Sequence, residues 1–354
     1  MSKKLTEKED LPVYLYSKIY IEKHKKKLYN DKNISVKESA MAKYYVGIDV
    51  GGTSAKIGLV NEKGEIERKE QVQTLKSQDW HEIIDEFIRP VRAWFDEKID
   101  IVGIGLGAPG FFNKNTGCLH NCENIPGLIN APFVEYMKQQ FPVPVYADND
   151  ATCAAIGEHI FGAGRKYTDY LMVTVGTGIG GGLILNDKVY RGRDGYAGEL
   201  GHVIAVPDGK RCTCGNKGCI ESYASATSII ERVRDGIKKG YITKSYADVK
   251  PEEINAKIVW DKARAGCQYS KDAIDSAARY LGMFLGGIVN LLNIQAIIIG
   301  GGVAVEADFI ERIKYFTCQS AWHTFTQNLD VVAAELKNNA GIIGAASLVL
   351  EAQK

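Results

Sequence analysis

The sequence lacks the features that mark several broad classes of protein. Its 354 residues carry a formal net charge of +1 at pH 7, so no strong field directs the chain to nucleic acid. No apolar run approaches the roughly 20 residues of a membrane-spanning helix. The first ten residues, MSKKLTEKED, lack the apolar core of a secretory signal. These absences predict a cytoplasmic protein that binds neither nucleic acid nor membrane.

Cysteine is too sparse for a disulfide scaffold, since only eight occur in the chain. Three of them follow one histidine with the spacing H-x9-C-x-C-x4-C, which predicts a closed Cys3His site for a structural zinc ion. Because four protein ligands fill a tetrahedral site, the ion would hold a loop in shape rather than take part in chemistry. Glu199 and Glu221 flank this loop. The predicted ligands are His202, Cys212, Cys214 and Cys219.

The chain divides into three parts. Residues 1–42 hold ten lysines against six acidic residues and too few apolar positions for a core. They read either as a DNA-binding helix-turn-helix or as a partly ordered appendage, and the second interpretation is favoured. Residues 43–155 are expected to form one lobe, with a final helix at about 341–354 packing back onto it. Residues 156–340 are expected to form a second lobe that carries the zinc loop at 202–221.

An internal repeat supports two similar lobes. The stretch YYVGIDVGGTSAKIGLVN at 44–61 aligns without a gap with DYLMVTVGTGIGGGLILN at 169–186. Each copy reads as a strand, a glycine-rich turn and a second strand. Two such units, each followed by helical segments, predict an α/β fold with duplicated lobes around a cleft.

The glycine-rich turns are candidate phosphate-binding loops. Glycine lets backbone N–H groups approach a phosphate, although a tight hairpin alone also requires it. The loops Gly51–Thr53 and Gly176–Gly178 match each other, and a third cluster lies at Gly300–Gly302; together they favour a bound nucleotide. Neither match to GxGxxG opens a helix within a βαβ unit, and no Walker loop is present. A nucleotide would therefore be held in another way.

Acidic residues at the end of a predicted strand supply a candidate general base. Asp148-Asn149-Asp150 follows a short apolar strand at 143–146 and precedes a helical run. One of these acids is also well placed as a helix N-cap. A carboxylate in a cleft can accept the proton of a sugar hydroxyl. Asn149, Glu199, His202 and Glu221 offer the polar groups that the other hydroxyls of a sugar need.

Six motifs together resemble the ROK family (repressors, open reading frames and kinases) over roughly residues 44–350. They are DVGGTSAK at 49–56, GAPGFFNKNTGCLHNCENIPG at 107–127, DNDATCAAIGE at 148–158, GTGIGGG at 176–182, GELGH at 198–202 and CTCGNKGCIE at 212–221. The resemblance implies an actin/hexokinase-like (ribonuclease H-like) two-lobe α/β fold with ATP and Mg2+ in the cleft.

The resemblance also implies individual roles. Asp150 would be the general base, and His202 would bind zinc through one ring nitrogen and the sugar through the other. The implied sugar-binding residues are Asn124, Asn149, Glu199, His202 and Glu221. The implied nucleotide-binding residues are Asp49, Gly51, Gly52, Thr53, Lys56, Gly176, Thr177, Gly178, Gly301 and Gly302.

The expected activity is ATP-dependent phosphorylation of a free hexose, with glucose converted to glucose 6-phosphate. Two alternatives stay open: a kinase for an N-acetylhexosamine such as N-acetylmannosamine or N-acetylglucosamine, and a sugar-responsive transcriptional repressor. The sequence departs from the family pattern at Phe111, Phe112 and Leu128, and these side chains could shape an apolar pocket for an acetyl group. A homodimer or homotetramer is the expected assembly.

Overall fold

The computed structural model describes residues 42–113, 116–120, 122, 124–302 and 306–353. The expectation about residues 1–41 therefore lies outside it. The compact unit that begins at Ala42 contains all the strands and helices named below. No helix in these described ranges is long and apolar enough to cross a membrane.

Twelve strands are present in these ranges, and most of them fall into two five-stranded sheets. The first sheet has the order β3-β2-β1-β4-β7 and the second has the order β10-β9-β8-β11-β12, while β5 and β6 pair separately. The strands are β1 (Tyr44–Val50), β2 (Ser54–Asn61), β3 (Ile66–Gln73), β4 (Ile101–Ala108), β5 (Phe111–Phe112), β6 (Leu119–His120), β7 (Val145–Asn149), β8 (Tyr170–Val175), β9 (Ile179–Leu185), β10 (Lys188–Val189), β11 (Ala296–Gly300) and β12 (Asp330–Ala333).

The predicted internal repeat appears as a repeated topology. In the first sheet β1 pairs antiparallel with β2 and parallel with β4. In the second sheet β8 pairs antiparallel with β9 and parallel with β11. The second strand of the first unit begins at Ser54 and that of the second unit at Ile179, and these positions are aligned with each other in the sequence repeat. The α/β class and the repeated hairpin are thus as the sequence predicts.

Ten α-helices accompany the sheets in the described ranges. They are α1 (Trp80–Asp96), α2 (Phe133–Gln140), α3 (Asp150–Phe161), α4 (Glu221–Ala224), α5 (Ala226–Lys238), α6 (Ala256–Arg264), α7 (Gln268–Leu292), α8 (Ala307–Ser320), α9 (His323–Thr326) and α10 (Ala340–Glu351).

Helix α1 shows how the sequence pattern becomes packing. Asp79 caps its N-terminus by accepting a hydrogen bond from the His81 N–H group at 2.9 Å. Its apolar positions recur every three or four residues, so they share one face, and Phe87 and Ile88 on that face are fully buried. Burial of each such side chain contributes about 1.5–3 kcal/mol.

Helices α3 and α10 bring the two sheets together. Helix α10 contacts β1, β4 and α3, and α3 also contacts β8 and β9. The approach is close because small residues face each other: a methyl group added at Gly344 would collide with the carbonyl of Cys153. At Gly180, a methyl group would come within 2.7 Å of the Ala151 Cβ. The start of α3 therefore lies directly against the second sheet.

Strand β7 is longer than the sequence suggested. The expected strand ended at Tyr146, but the parallel pairing with β4 continues through Asp148 and Asn149. The expected end was wrong because the polar residues Asp148 and Asn149 read as a loop. Their backbone nevertheless continues the pairing, so β7 extends to the residue before Asp150.

Candidate active site

The candidate base and the first glycine loop lie at one edge of the first sheet. Strands β1, β4 and β7 are parallel, so their carboxyl ends meet at the same edge. Asp49 lies near the end of β1, and Asp150 begins α3 directly after β7. Open α/β sheets bind their ligands at this kind of edge.

Asn149, rather than an acid, caps helix α3. Its side-chain oxygen accepts hydrogen bonds from the N–H groups of Ala151 at 2.9 Å and Thr152 at 3.2 Å. Its amide nitrogen donates to the carbonyl of Gly110 at 3.3 Å. The N-cap role therefore falls on neither Asp148 nor Asp150. The Asp150 carboxylate is left at the positive end of the helix.

Asp150 has the electrostatic setting of a general base. Burial, together with the negative charge of Asp49, raises its pKa to about 6. The N–H group of Ala151 donates to the Asp150 Oδ1 at 2.8 Å, and this hydrogen bond lowers the pKa. A base works best when its pKa lies near the working pH, so this carboxylate is suited to accept a proton at neutral pH.

Asp49 lies against the first residues of α10. A methyl group added at Gly341 would collide with its carboxyl group. Burial raises the pKa of Asp49, and the cations Lys56 and Lys69 lower it. Lys56 is the residue directly opposite Asp49 in the β1–β2 pairing. A half-buried carboxylate with a nearby lysine is a chemically suitable oxygen ligand for Mg2+ beside phosphate groups.

The two predicted phosphate loops have related turn geometry. The Gly51 N–H group donates to the carbonyl of Ser54 at 3.1 Å, and the Gly176 N–H group donates to that of Gly178 at 3.0 Å. Gly52 lies beside Asn124, because a methyl group there would be 3.1 Å from the Asn124 Cβ. One predicted sugar-binding residue therefore adjoins the first loop.

The third glycine cluster adjoins the second loop. Gly301 has a φ of +89°, which favours glycine, and a methyl group there would collide with the backbone of Val175. Val175 immediately precedes Gly176, and Gly302 is exposed beside this turn. The remaining loop residues, Thr53 and Thr177, are also exposed at their turns.

The predicted sugar-binding acids converge on the second loop. Glu221 accepts a hydrogen bond from the Ile179 N–H group at 2.9 Å, and a methyl group at Gly178 would collide with its carboxylate. Burial raises the pKa of Glu199; His202 lowers it, while Asp150 and Glu221 raise it. The charges of Asp150, Glu221 and His202 therefore act on the Glu199 carboxylate.

The Cys3His cluster has the dimensions of a metal site. The four candidate ligand atoms all lie within 4.8 Å of one another. The His202 Nδ1 is 3.6 Å from the Cys212 Sγ, and the Cys214 and Cys219 sulfurs are also 3.6 Å apart. Tetrahedral zinc would require about 3.5–3.8 Å between such ligand atoms. The residues therefore fit a zinc ion, which would tie His202 to the loop that leads into Glu221.

Of the three side chains expected to shape an acetyl pocket, Leu128 is fully enclosed, and Phe112 is buried but also lines a cavity. Phe112 and Leu128 are buried in the hydrophobic core of the first sheet. Successive residues of a strand face opposite sides, so Phe111 points the other way and meets Tyr196 at 5.3 Å between ring centres. Tyr196 was not among the predicted residues, although its position three residues before Glu199 is the signal that places it near the site.

Comparison with known proteins identifies the family. The model of the ROK family matches residues 45–352. Glucokinase from Halalkalibacterium halodurans is 36% identical over 87% of this chain and 95% of its own length. Glucokinase from Thermotoga maritima is 33% identical, covering 86% of this chain and 97% of its own.

A solved structure agrees with these relatives. A ROK family glucokinase from Streptomyces griseus, crystallised with glucose and AMPPNP, has a TM-score of 0.75 at 32% identity. The match covers 86% of this chain and 98% of that one. The similarity confirms the expected actin/hexokinase-like fold, and the chain belongs to the ROK family.

Proposed function

We propose that this protein transfers the γ-phosphoryl group of ATP to a free hexose, with glucose as the substrate and its 6-hydroxyl as the acceptor. The observation that carries this proposal is Asp150, a partly buried carboxylate at the start of α3 whose pKa is raised to about 6. It lies where the end of the first sheet meets the second. The similarity to glucokinases, one of which was crystallised with glucose and AMPPNP, supports both substrates.

Asp150 would act on the acceptor hydroxyl. Its carboxylate takes the hydroxyl proton as the sugar oxygen forms a bond to the γ-phosphorus. The bond between that phosphorus and the bridging oxygen then breaks, and ADP leaves with the electron pair. Removal of the proton at this step typically contributes 10²–10⁴-fold to the rate. Asn149 keeps the backbone of Asp150 fixed because it caps the same helix.

The glycine loops would hold the phosphate groups. The N–H groups of Gly51 and Gly176 are used inside their own turns, so the donors would be the N–H groups of Gly52, Thr53, Thr177 and Gly178. Held in place by the turns, they would face the developing negative charge without the cost of reorganisation. Mg2+ bound near Asp49 would neutralise phosphate charge, as in other phosphoryl transfers. Lys56 and the turn at Gly301 and Gly302 complete the proposed nucleotide site.

The sugar would be held by polar side chains from both halves of the cleft. Asn149 and Asn124 contribute amides from the first half, and Glu199 and Glu221 contribute carboxylates from the second. His202 would meet the sugar through Nε2, since its Nδ1 faces Cys212. Zinc in the Cys3His cluster would supply only structural support, by fixing His202 and the segment that leads into Glu221.

Catalysis distinguishes this proposal from a sugar-responsive repressor. A repressor needs a sugar site but neither a general base nor loops for phosphate, whereas this chain carries candidates for both. The test is a coupled assay of ADP release with ATP, Mg2+ and glucose, with Asp150→Asn as the inactive control. Sugar binding without sugar-dependent ADP release would refute the kinase and favour the repressor.

A further inference from the structure

A group of three charged residues lies behind the proposed base. The Nε of Arg191 donates to the Asp148 Oδ2 at 2.7 Å. Its two terminal nitrogens donate to the two carboxylate oxygens of Glu351, at 3.2 and 3.1 Å. One guanidinium therefore joins two carboxylates, using the fork geometry that lysine cannot reproduce.

The three residues come from separate parts of the fold. Asp148 lies in β7, which is the edge strand of the first sheet, and Arg191 follows β10, the edge strand of the second. Glu351 is the last residue of α10, which packs on β1 and β4. Arg191 thus reaches from the second sheet to two elements of the first.

The group is more buried than an ordinary surface ion pair. The side chains of Asp148 and Arg191 are 9% and 29% exposed, compared with 47% and 50% for the pair Arg68–Glu97. Buried charge pairs are far more sensitive to the loss of one member than exposed ones. Burial raises the pKa of Asp148, and Arg191 opposes that effect and favours the charged carboxylate.

Asp148 connects this group to the candidate site. Its Oδ1 accepts a hydrogen bond from the Asn149 N–H group at 2.9 Å, while its Oδ2 is held by Arg191. Asn149 caps α3, and Asp150 is the first residue of that helix. The orientation of the Asp148 carboxylate therefore bears directly on the backbone that presents the base.

The Asp148 carboxylate lies next to open space. A cavity of about 460 Å³ opens beside it and is lined by both Asp148 and Arg191. The hydrogen bonds from Arg191 and from the Asn149 N–H group hold the carboxylate beside this cavity. Loss of the guanidinium would leave a buried carboxylate without its cation.

We propose that Arg191 is a positioning residue for phosphoryl transfer, which acts through Asp148 to hold the end of β7, and with it Asn149 and Asp150, in register with the second sheet. This inference rests on the proposed kinase function. It concerns neither substrate contacts nor the base itself. Displacement of a reacting group by about 1 Å can lower a rate by about 100-fold, so a loose strand end should be visible in kcat.

The test compares variants of the full chain in the ADP-release assay. Arg191→Met should lower kcat with glucose at least about tenfold, while KM for ATP stays within about threefold. Arg191→Lys keeps a cation and should recover part of that loss. The double variant Arg191→Met/Asp148→Asn should be no slower than Arg191→Met, because both residues act along one path. Arg68→Met removes an exposed ion pair and serves as the matched control.

The outcomes separate this inference from the proposed function. If the wild-type protein releases no ADP with any sugar, the kinase proposal fails. If the wild type is active and Arg191→Met keeps kcat within twofold, as Arg68→Met should, the positioning role is refuted. A lower midpoint of urea unfolding with unchanged kcat would equally show that Arg191 only stabilises the fold. If Arg191→Met does not fold, the variants Arg191→Lys and Asp148→Asn test the positioning role instead. Each must lower kcat, and unchanged kcat in both would refute that role.

Discussion

Replacement of Asp150 by asparagine should inactivate the protein and stabilise its fold at the same time. Asparagine has the same shape and keeps the oxygen that accepts from the Ala151 N–H group at 2.8 Å. It cannot accept the proton of a sugar hydroxyl, so kcat should fall by roughly 10²–10⁴-fold. It also carries no charge, which removes the unfavourable burial of the carboxylate.

The size of the stabilisation follows from the pKa. The folded protein raises the pKa of Asp150 from its usual 3.8 to about 6. Folding therefore favours the protonated acid, and stability decreases as the pH rises from about 4 to about 6. One pKa unit corresponds to about 1.4 kcal/mol, so the ionised carboxylate costs about 3 kcal/mol above pH 6. At pH 4.5 the carboxylate is largely protonated in the folded protein, and its destabilising effect falls to about 1 kcal/mol.

Urea unfolding at two pH values measures this difference. The free energy of unfolding of Asp150→Asn should exceed that of the wild type by about 3 kcal/mol at pH 7.5 and by about 1 kcal/mol at pH 4.5. Asp96→Asn, at an exposed site on α1, should show neither effect. A variant that is less stable than the wild type at pH 7.5, or that keeps more than half of kcat, would refute the reasoning.

Three further predictions concern the metal, the N-terminal segment and the second glycine loop. One zinc ion per chain should copurify, and Cys214→Ser should lose it and weaken glucose binding; metal analysis without stoichiometric zinc would contradict this. A chain that starts at Met41 should keep near-normal kinetics, whereas a loss of folding would show that the segment packs on the rest. Gly178→Ala should raise KM for glucose at least about tenfold, because the new methyl group displaces Glu221. Gly287→Ala, which has open space around it, is the control. Equal KM values for the two variants would show that Glu221 does not bind the sugar.

Local patterns in the sequence predict most of the framework. The repeat between 44–61 and 169–186 fixes both hairpins, because strands and glycine turns are encoded over a few residues. The Cys3His spacing likewise predicts a cluster, and in the structure its four candidate ligand atoms lie within 4.8 Å of one another. Each of these features depends on neighbours in the chain, which a sequence displays directly.

Features that depend on distant residues are not visible in the sequence. Arg191 contacts Asp148 and Glu351, which are 43 and 160 residues away. Nothing near Arg191 in the sequence marks those contacts, since isolated arginines are usually exposed. Phe111 and Phe112 also look equivalent in sequence, yet the alternation of β5 buries one and directs the other toward Tyr196.

The most direct test of the central claim is a coupled ADP-release assay of the wild-type protein with ATP and Mg2+ across glucose, mannose, fructose, N-acetylglucosamine and N-acetylmannosamine. A site that hydrogen-bonds each hydroxyl of its substrate discriminates strongly against sugars that leave its polar groups unpaired. We expect glucose to give the highest kcat/KM, and Asp150→Asn to abolish the signal. A tenfold preference for an N-acetylated hexosamine would correct the sugar and leave the kinase in place. ADP release no greater than that of Asp150→Asn with every sugar would contradict the central claim.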